Sequence, residues 1–285
     1  MYIYLYDNYT RQDKYKHKIA QIDKKIIELG QNRKIIRLGE IKGIASIINN
    51  HSNRGAHGII AVGNDRTLSG LICAMFQSND QEILETPISI IPIGSKNQNL
   101  AKILNISTQN LGEALISRKI KKINLIEIQS FRLSNTDHHT LVRDQKKYCL
   151  TQLYTQNREG LFCQVRNGYS FEIRKNKQLR IINLLNQQDI LRQKLNNARL
   201  IFNPFDKILE LVIENKISAQ RQYLYNLVNK KINPIDSFFS LENFAILNHG
   251  LSLLLDGVSE IKTPAKIKIA NHGLNFIVGR NFHVY

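Results

Sequence analysis

Over the first 120 residues, short apolar runs alternate with segments whose apolar residues recur at helical spacing. "YIYLY" is followed by "RQDKYKHKIAQIDKKIIELG", where a glycine at position 30 closes the periodic stretch as a helix C-terminal cap would. "KIIRL" precedes the helical pattern "EIKGIASIINNHS", "HGIIAV" precedes "LSGLICAMFQS", and "PISIIPIG" precedes "SKNQNLAKILNI" and "STQNLGEALISRK". Strands joined by helices cannot pair as hairpins. They pair in parallel, with helices on both faces of one sheet. This alternation predicts an α/β domain over residues 1–120 with a mainly parallel sheet.

After residue 120 the pattern changes. "KKINLIEIQSFRLS", "KYCLTQLYTQ", "GLFCQVRNGYSFEIRK", "QLRIINLL", "ARLIFNP" and "KILELVIEN" are short runs separated by Asn, Gly, Asp and Gln. The pairs flanking "QNREG" and "RNGYS" read as hairpins, which predicts an antiparallel, all-β second domain over residues 121–285. Within it, "NPIDSFFSLENFAILNHGLSLLLDG" is expected to contain a helix, and "KIKIANHGLNFIVGRNFHVY" to form a last hairpin, with the final segment able to pack back on the first domain. Asn-His-Gly occurs at 248–250 and again at 271–273 in different surroundings, which reads as turn chemistry.

No apolar run approaches the roughly 20 residues a membrane-spanning helix needs. The N-terminal segment is apolar too briefly for a signal peptide. Three cysteines, Cys73, Cys149 and Cys163, make no CxxC pair, which fits a reducing compartment better than a disulfide framework. A cytoplasmic location, peripheral to the inner face of the membrane, is the resulting expectation. Forty Lys and Arg against 23 Asp and Glu leave a net charge of +17, which attracts polyanions such as nucleotides, anionic lipid surfaces or nucleic acid. The basic residues are dispersed, with "DKKIIELGQNRK" and "SRKIKK" the densest clusters, and no helix-turn-helix or zinc-finger spacing accompanies them. "TDHHT", residues 136–140, lacks further ligands spaced to complete a metal site.

In a parallel α/β domain, ligands sit beyond the C-terminal ends of the strands, where helix N-termini offer N–H groups to anions. "HGIIAVGNDRTLSG" has that layout. Gly63 permits close backbone approach, Asp65 can face magnesium through water, and Thr67 can hydrogen-bond a phosphate. Capping of the helix by Asp65 or Thr67 is the competing reading. "ISIIPIGSKNQNLAKIL" repeats the arrangement one unit later, with Gly94, Ser95 and Asn97 at a strand exit and the Lys96 cation beside them.

These two stretches resemble the diacylglycerol kinase catalytic-domain family, which includes bacterial lipid kinases and sphingosine kinases. The family pattern is a strand, GGDGT, a helix, a second strand and P-x-G-[ST]-x-N, and the two loops stand here in the same order and at a similar separation. The resemblance implies an N-terminal nucleotide domain, a C-terminal β-sandwich, ATP and Mg2+ as cofactors, and a lipid acceptor of diacylglycerol or sphingosine type. It places nucleotide contacts at Gly63, Asn64, Asp65, Arg66, Thr67, Gly94, Ser95, Lys96 and Asn97. Asn64 and Arg66 replace glycines, and in a left-handed backbone Arg would be held at a steric cost. The hairpin opening the family's sandwich is usually D-L-G-x-x-N-G, and "KKINLIEIQSFRLSN" carries Asn124 in place of its aspartate. Family members also carry a D-G-E-like triplet in the last hairpin, whose acid helps deprotonate the lipid hydroxyl. Aligned on "FIVGRNF", that triplet falls on Gly279, Arg280 and Asn281. Asp256 in "LLLDGVSE" is the substitute candidate, against a helix-end Asp-Gly reading. The functional expectation is an ATP-dependent lipid kinase-like protein. The alternatives are an inactive relative that binds nucleotide, lipid or a partner, and a basic nucleic-acid-binding protein.

Overall fold

A computed structural model of the chain describes residues 1–30, 32–38, 44, 47–48, 56–78, 80–94, 98–134, 141–155, 160–165, 168–175, 177–183, 207–215 and 235–282. The chain divides into two compact units, one of Met1–Asn124 with Asn271–Val284 and one of Leu125–Ala270.

The first unit is built on strands β1 (Tyr2–Tyr6), β2 (Arg33–Arg37), β3 (Gly58–Gly63), β4 (Ile88–Pro92) and β5 (Ile120–Ile123), with the chain's last strand, β18 (Leu274–Ile277). Their order in the sheet is β2-β1-β3-β4-β18-β5. β1 to β4 are mutually parallel, β18 runs parallel to β4, and β5 is antiparallel to β18. The expected α/β domain with a mainly parallel sheet is present. β1 is buried along its whole length because its side chains bury on both faces of the sheet. Tyr2, Tyr4 and Tyr6 cluster with Ile19, Ile22 and Ile26 of helix α1 (Lys16–Glu28). That spacing sets one apolar stripe of the helix against the sheet. Further α-helices of the unit among the described residues are α2 (Asp65–Gln77), α3 (Gln81–Glu85), α4 (Asn99–Ile103) and α5 (Leu111–Ser117). The predicted helix before β3 falls almost wholly outside the described residues.

The second unit holds β6 (Ile126–Leu133), β7 (Leu141–Cys149), β8 (Gln152–Thr155), β9 (Leu161–Val165), β10 (Ser170–Ile173), β11 (Lys177–Ile182) and β12 (Leu209–Asn215). These are followed by β13 (Ile235–Leu241), β14 (Asn243–Ile246), β15 (Ser252–Leu255), β16 (Ser259–Lys262) and β17 (Ala265–Ile269). They form two antiparallel sheets, ordered β10-β9-β14-β17-β6-β7 and β13-β12-β11-β8-β15-β16. One apolar core takes residues from both sheets, with Ile128, Cys163, Phe244 and Ile267 from the first and Leu153, Ile181, Leu211 and Leu253 from the second. Alternate residues point inward, as a sandwich requires.

Three local expectations are corrected. Residues 235–241, 243–246 and 252–255 are strands, and no described residue between 235 and 257 is helical. Alternating burial in β14 and β15 puts every second residue in the core, which a helix could not do. The strands flanking "QNREG", β8 and β9, lie in different sheets, whereas β9 and β10 around "RNGYS" do pair as a hairpin. The last hairpin is also absent, since β17 pairs with β6 and β14 while β18 pairs with β4 and β5. "ARLIFNP" and "TDHHT" lie outside the described residues.

Candidate functional site at the strand exits

The order β2-β1-β3-β4 places a topological switch between β1 and β3. From β1 the chain first steps to one side of the sheet, then returns to the other. The exits of two such strands diverge into a crevice, the usual ligand position in open α/β sheets. The groups at these two exits are Asp7 and the Gly63–Thr67 loop.

Asp7 spans the switch. Its N–H donates to the Val62 carbonyl (3.0 Å), and its Oδ2 accepts the Thr67 hydroxyl at 2.7 Å. The same Thr67 oxygen accepts the Asn64 N–H at 3.1 Å. Asn64 closes a reciprocal capping box by accepting the N–H groups of Arg66 (3.0 Å) and Thr67 (3.4 Å). A Cβ on Gly63 would stand 2.2 Å from Thr67 Oγ1, so glycine is what lets Thr67 fold over the loop. The left-handed geometry expected at Asn64 and Arg66 is corrected. Asn64 is an extended N-cap (φ −121°, ψ −174°) and Arg66 lies in α2. Because the helix begins at Asp65, neither position requires glycine.

Asp65 is fully buried. Its Oδ2 accepts the Asn99 N–H at 2.7 Å and its Oδ1 the Leu100 N–H at 3.0 Å, where α4 begins. It thus ties the first loop to the segment that follows the second. Ser95, Lys96 and Asn97 lie outside the described residues. Gly94 is described. It takes a positive φ of 93°, and a Cβ there would meet the Tyr15 hydroxyl at 3.2 Å. Next to it, the Tyr9 hydroxyl donates to the Ile93 carbonyl at 3.1 Å, and the Tyr9 and Tyr15 rings meet edge to face with centroids 5.6 Å apart. Burial, with Asp7 and Tyr15 nearby, raises the Tyr9 phenol well above its ordinary pKa.

Among the described residues no group of three or more His, Cys, Asp or Glu comes together. Asp7 and Asp65 are the carboxylates described at these exits, and a magnesium ion held there would draw most of its ligands from water and phosphate oxygens.

Gly279, Arg280 and Asn281 follow β18. Gly279 N–H donates to Leu104 O (2.9 Å), Arg280 pairs with Glu113 at 3.3 Å, and Asn281 is exposed. Since β18 lies inside a sheet, the last hairpin among the described residues is β15–β16, with Asp256, Gly257 and Val258 in its turn. Asp256 ends a strand and takes φ 50°, so its helix-end reading is also corrected. Its carboxylate accepts the N–H groups of Leu150 (2.9 Å), Thr151 (2.8 Å) and Gln152 (3.2 Å) and the Thr151 hydroxyl (2.7 Å). Such a carboxylate serves as a structural acceptor for the β7–β8 turn. The Cys149 sulfur lies 3.1 Å away, and burial, with Asp256 beside it, pushes that thiol pKa well up.

Sequence reasoning missed Asp7, Tyr9 and Tyr15. Nothing in "YDNYTRQDKY" resembles a glycine-rich loop, and Asp7 meets its partner only through the fold. The strand-exit rule, applied to β1 as well as β3, was the available signal.

Residues 3–128 match the model of the diacylglycerol kinase catalytic domain. Among solved structures, one of a diacylglycerol kinase from Bacillus anthracis strain Sterne superposes with a TM-score of 0.65 at 13% identity, covering 99% of this chain and 98% of that one. Two further structures from that strain align over the same shares, with TM-scores of 0.67 and 0.65 at 13% and 12% identity. At such identities the likeness establishes the fold. No curated protein matches the chain.

Proposed function

Because residues 3–128 match the model of the diacylglycerol kinase catalytic domain, we propose that this lipid kinase-like protein holds Mg-ATP at the β1/β3 switch point and transfers its γ-phosphoryl group to a lipid hydroxyl. The observation that carries the reading is Asp65. Its carboxylate ties the first motif loop to the start of α4, the segment that follows the second loop, which supports reading the two loops as one site. Gly63 and Gly94 let the backbone approach the phosphates, Asp7 and Asp65 face the metal through water, and Thr67 is held at the crevice by Asp7. Magnesium, when bound, supplies charge that offsets the phosphate oxygens. Ser95, Lys96 and Asn97 complete the proposed nucleotide contacts. The acceptor is a diacylglycerol- or sphingosine-type alcohol, and the net charge of +17 favours an anionic membrane surface, with each basic residue near it contributing about 1 kcal/mol. Among the described residues no helix is long and apolar enough to cross a membrane.

A second reading, a relative that binds nucleotide without transfer, is favoured by the last hairpin. Val258 follows Asp256 and Gly257 where an acid would supply the base, and Asp256 is engaged by three amides. General-base help contributes about 10²–10⁴ in rate.

Both readings are tested by incubating the protein with γ-labelled Mg-ATP and mixed bacterial lipids, then counting chloroform-extractable label. Label that disappears with EDTA supports the kinase. No label from folded protein that binds Mg-ATP in calorimetry supports the binding-only relative. No binding contradicts both.

A further inference from the structure

Tyr15 is the half-buried aromatic side chain beside the Gly94 exit. On one side it is braced by Tyr9, whose ring meets it edge to face at an interplanar angle of 77°. Tyr9 is itself pinned to the Ile93 carbonyl. Its hydroxyl end rests against the Gly94 backbone, close enough that a Cβ there would meet it at 3.2 Å. The ring packs in part against the apolar core of the first unit, and over it lies a flexible cation, the exposed Lys14, with Nζ 4.9 Å from the centroid. A ring fixed by its edge and tip, with a displaceable ammonium over its face, is built to accept a flat, electron-poor group. The electronegative face that holds Lys14 also stacks on heteroaromatic rings.

We infer that Tyr15 is the base-stacking residue of the nucleotide site. It receives the purine ring of the nucleotide on the face Lys14 now covers, and the displaced ammonium becomes free to pair with phosphate. This rests on the nucleotide reading proposed above and adds to it a residue outside both motif loops. Tyr15 would act by stacking alone, which any aromatic side chain supplies. A Lys14 substitution would weaken phosphate binding without abolishing the stack.

The test exploits the absence of tryptophan from the chain. Tyr15→Trp introduces a single indole emitter, to be titrated with Mg-ATP, with adenosine, which lacks phosphate, and with tripolyphosphate, which lacks a base. The expected result is quenching by Mg-ATP and adenosine but not by tripolyphosphate. In calorimetry on the whole protein, Tyr15→Ala should weaken Mg-ATP by about tenfold and leave tripolyphosphate unchanged, while Tyr15→Phe binds as the wild type does. If the wild type binds Mg-ATP while the indole emission stays constant and Tyr15→Ala binds equally well, the stacking role is overturned and the nucleotide reading stands. If the wild type binds no Mg-ATP, the nucleotide reading fails and the stacking role with it.

Discussion

Thr67 donates its hydroxyl proton to Asp7 across the switch point, at 2.7 Å, although 60 residues separate them in the chain. The same oxygen accepts the Asn64 N–H, so one hydroxyl links two strand exits and a helix cap. Thr67→Val keeps the shape and removes both bonds, leaving a buried carboxylate short of a donor. The expected loss is about 2 kcal/mol in urea unfolding, and Thr67→Ser should recover most of it. A valine variant as stable as the wild type would remove this bond from the account.

Gly63 and Thr67 should be coupled. The Cβ of Gly63→Ala would meet Thr67 Oγ1 at 2.2 Å and Thr67 Cβ at 2.8 Å, so the alanine variant is expected to lose about 1–3 kcal/mol. In Gly63→Ala/Thr67→Ala the Oγ1 contact is gone and the Cβ contact remains, so the obstruction is partly relieved and the double variant should be more stable than the sum of the singles requires. Additive losses would place the cost of the alanine elsewhere.

Asp65 holds the start of α4 through Asn99 and Leu100. Asp65→Ala leaves two amides without their acceptor, at a cost of about 2–3 kcal/mol. Hydrogen exchange locates the effect, since the Asn99 and Leu100 amides should lose protection well before the rest of the first unit. Unchanged protection there would mean that another group closes the second loop.

Stability should fall in alkali. Burial raises the Cys163 thiol to about 12, against an ordinary value of 9.0, and the Tyr4 phenol to about 12, against 10.0. Burial also raises Cys149, Tyr6 and Tyr9. A group whose folded pKa is raised keeps its proton in the native state after the unfolded chain has lost it. Its contribution is therefore whole below the unfolded pKa and lost as pH climbs toward the folded value. Each thiol should begin to cost stability above pH 9 and each phenol above pH 10, at up to about 1.4 kcal/mol per pH unit for each group. Urea midpoints at pH 8 and pH 10.5 measure this, and equal midpoints would contradict it.

The parallel sheet was legible because β1, β3 and β4 are buried along their whole length and mostly apolar, and the segments between them carry the helical period. Both motif loops could be found because each follows a buried strand directly. Other features depended on contacts between distant parts of the chain. β18 is four residues long and pairs with β4, far away in sequence, so its local pattern could only suggest a hairpin. Asp256-Gly257 marks a helix end and a strand turn equally well, and the deciding contacts come from Leu150 to Gln152. Asn64 and Arg66 replace glycines of the family loop, but the helix begins at Asp65, three residues before the apolar-periodic stretch that opens at Leu68.

The central claim is that the exits of β1, β3 and β4 form the nucleotide site. It is tested most directly by titrating 15N-labelled protein with Mg-ATP and mapping the amide shifts. The expected result is saturable shifts concentrated at Asp7, Gly63 to Thr67, Gly94 and Tyr15. Saturable binding whose shifts fall on other surfaces, or no shift with the protein folded and Mg-ATP in millimolar excess, would contradict it.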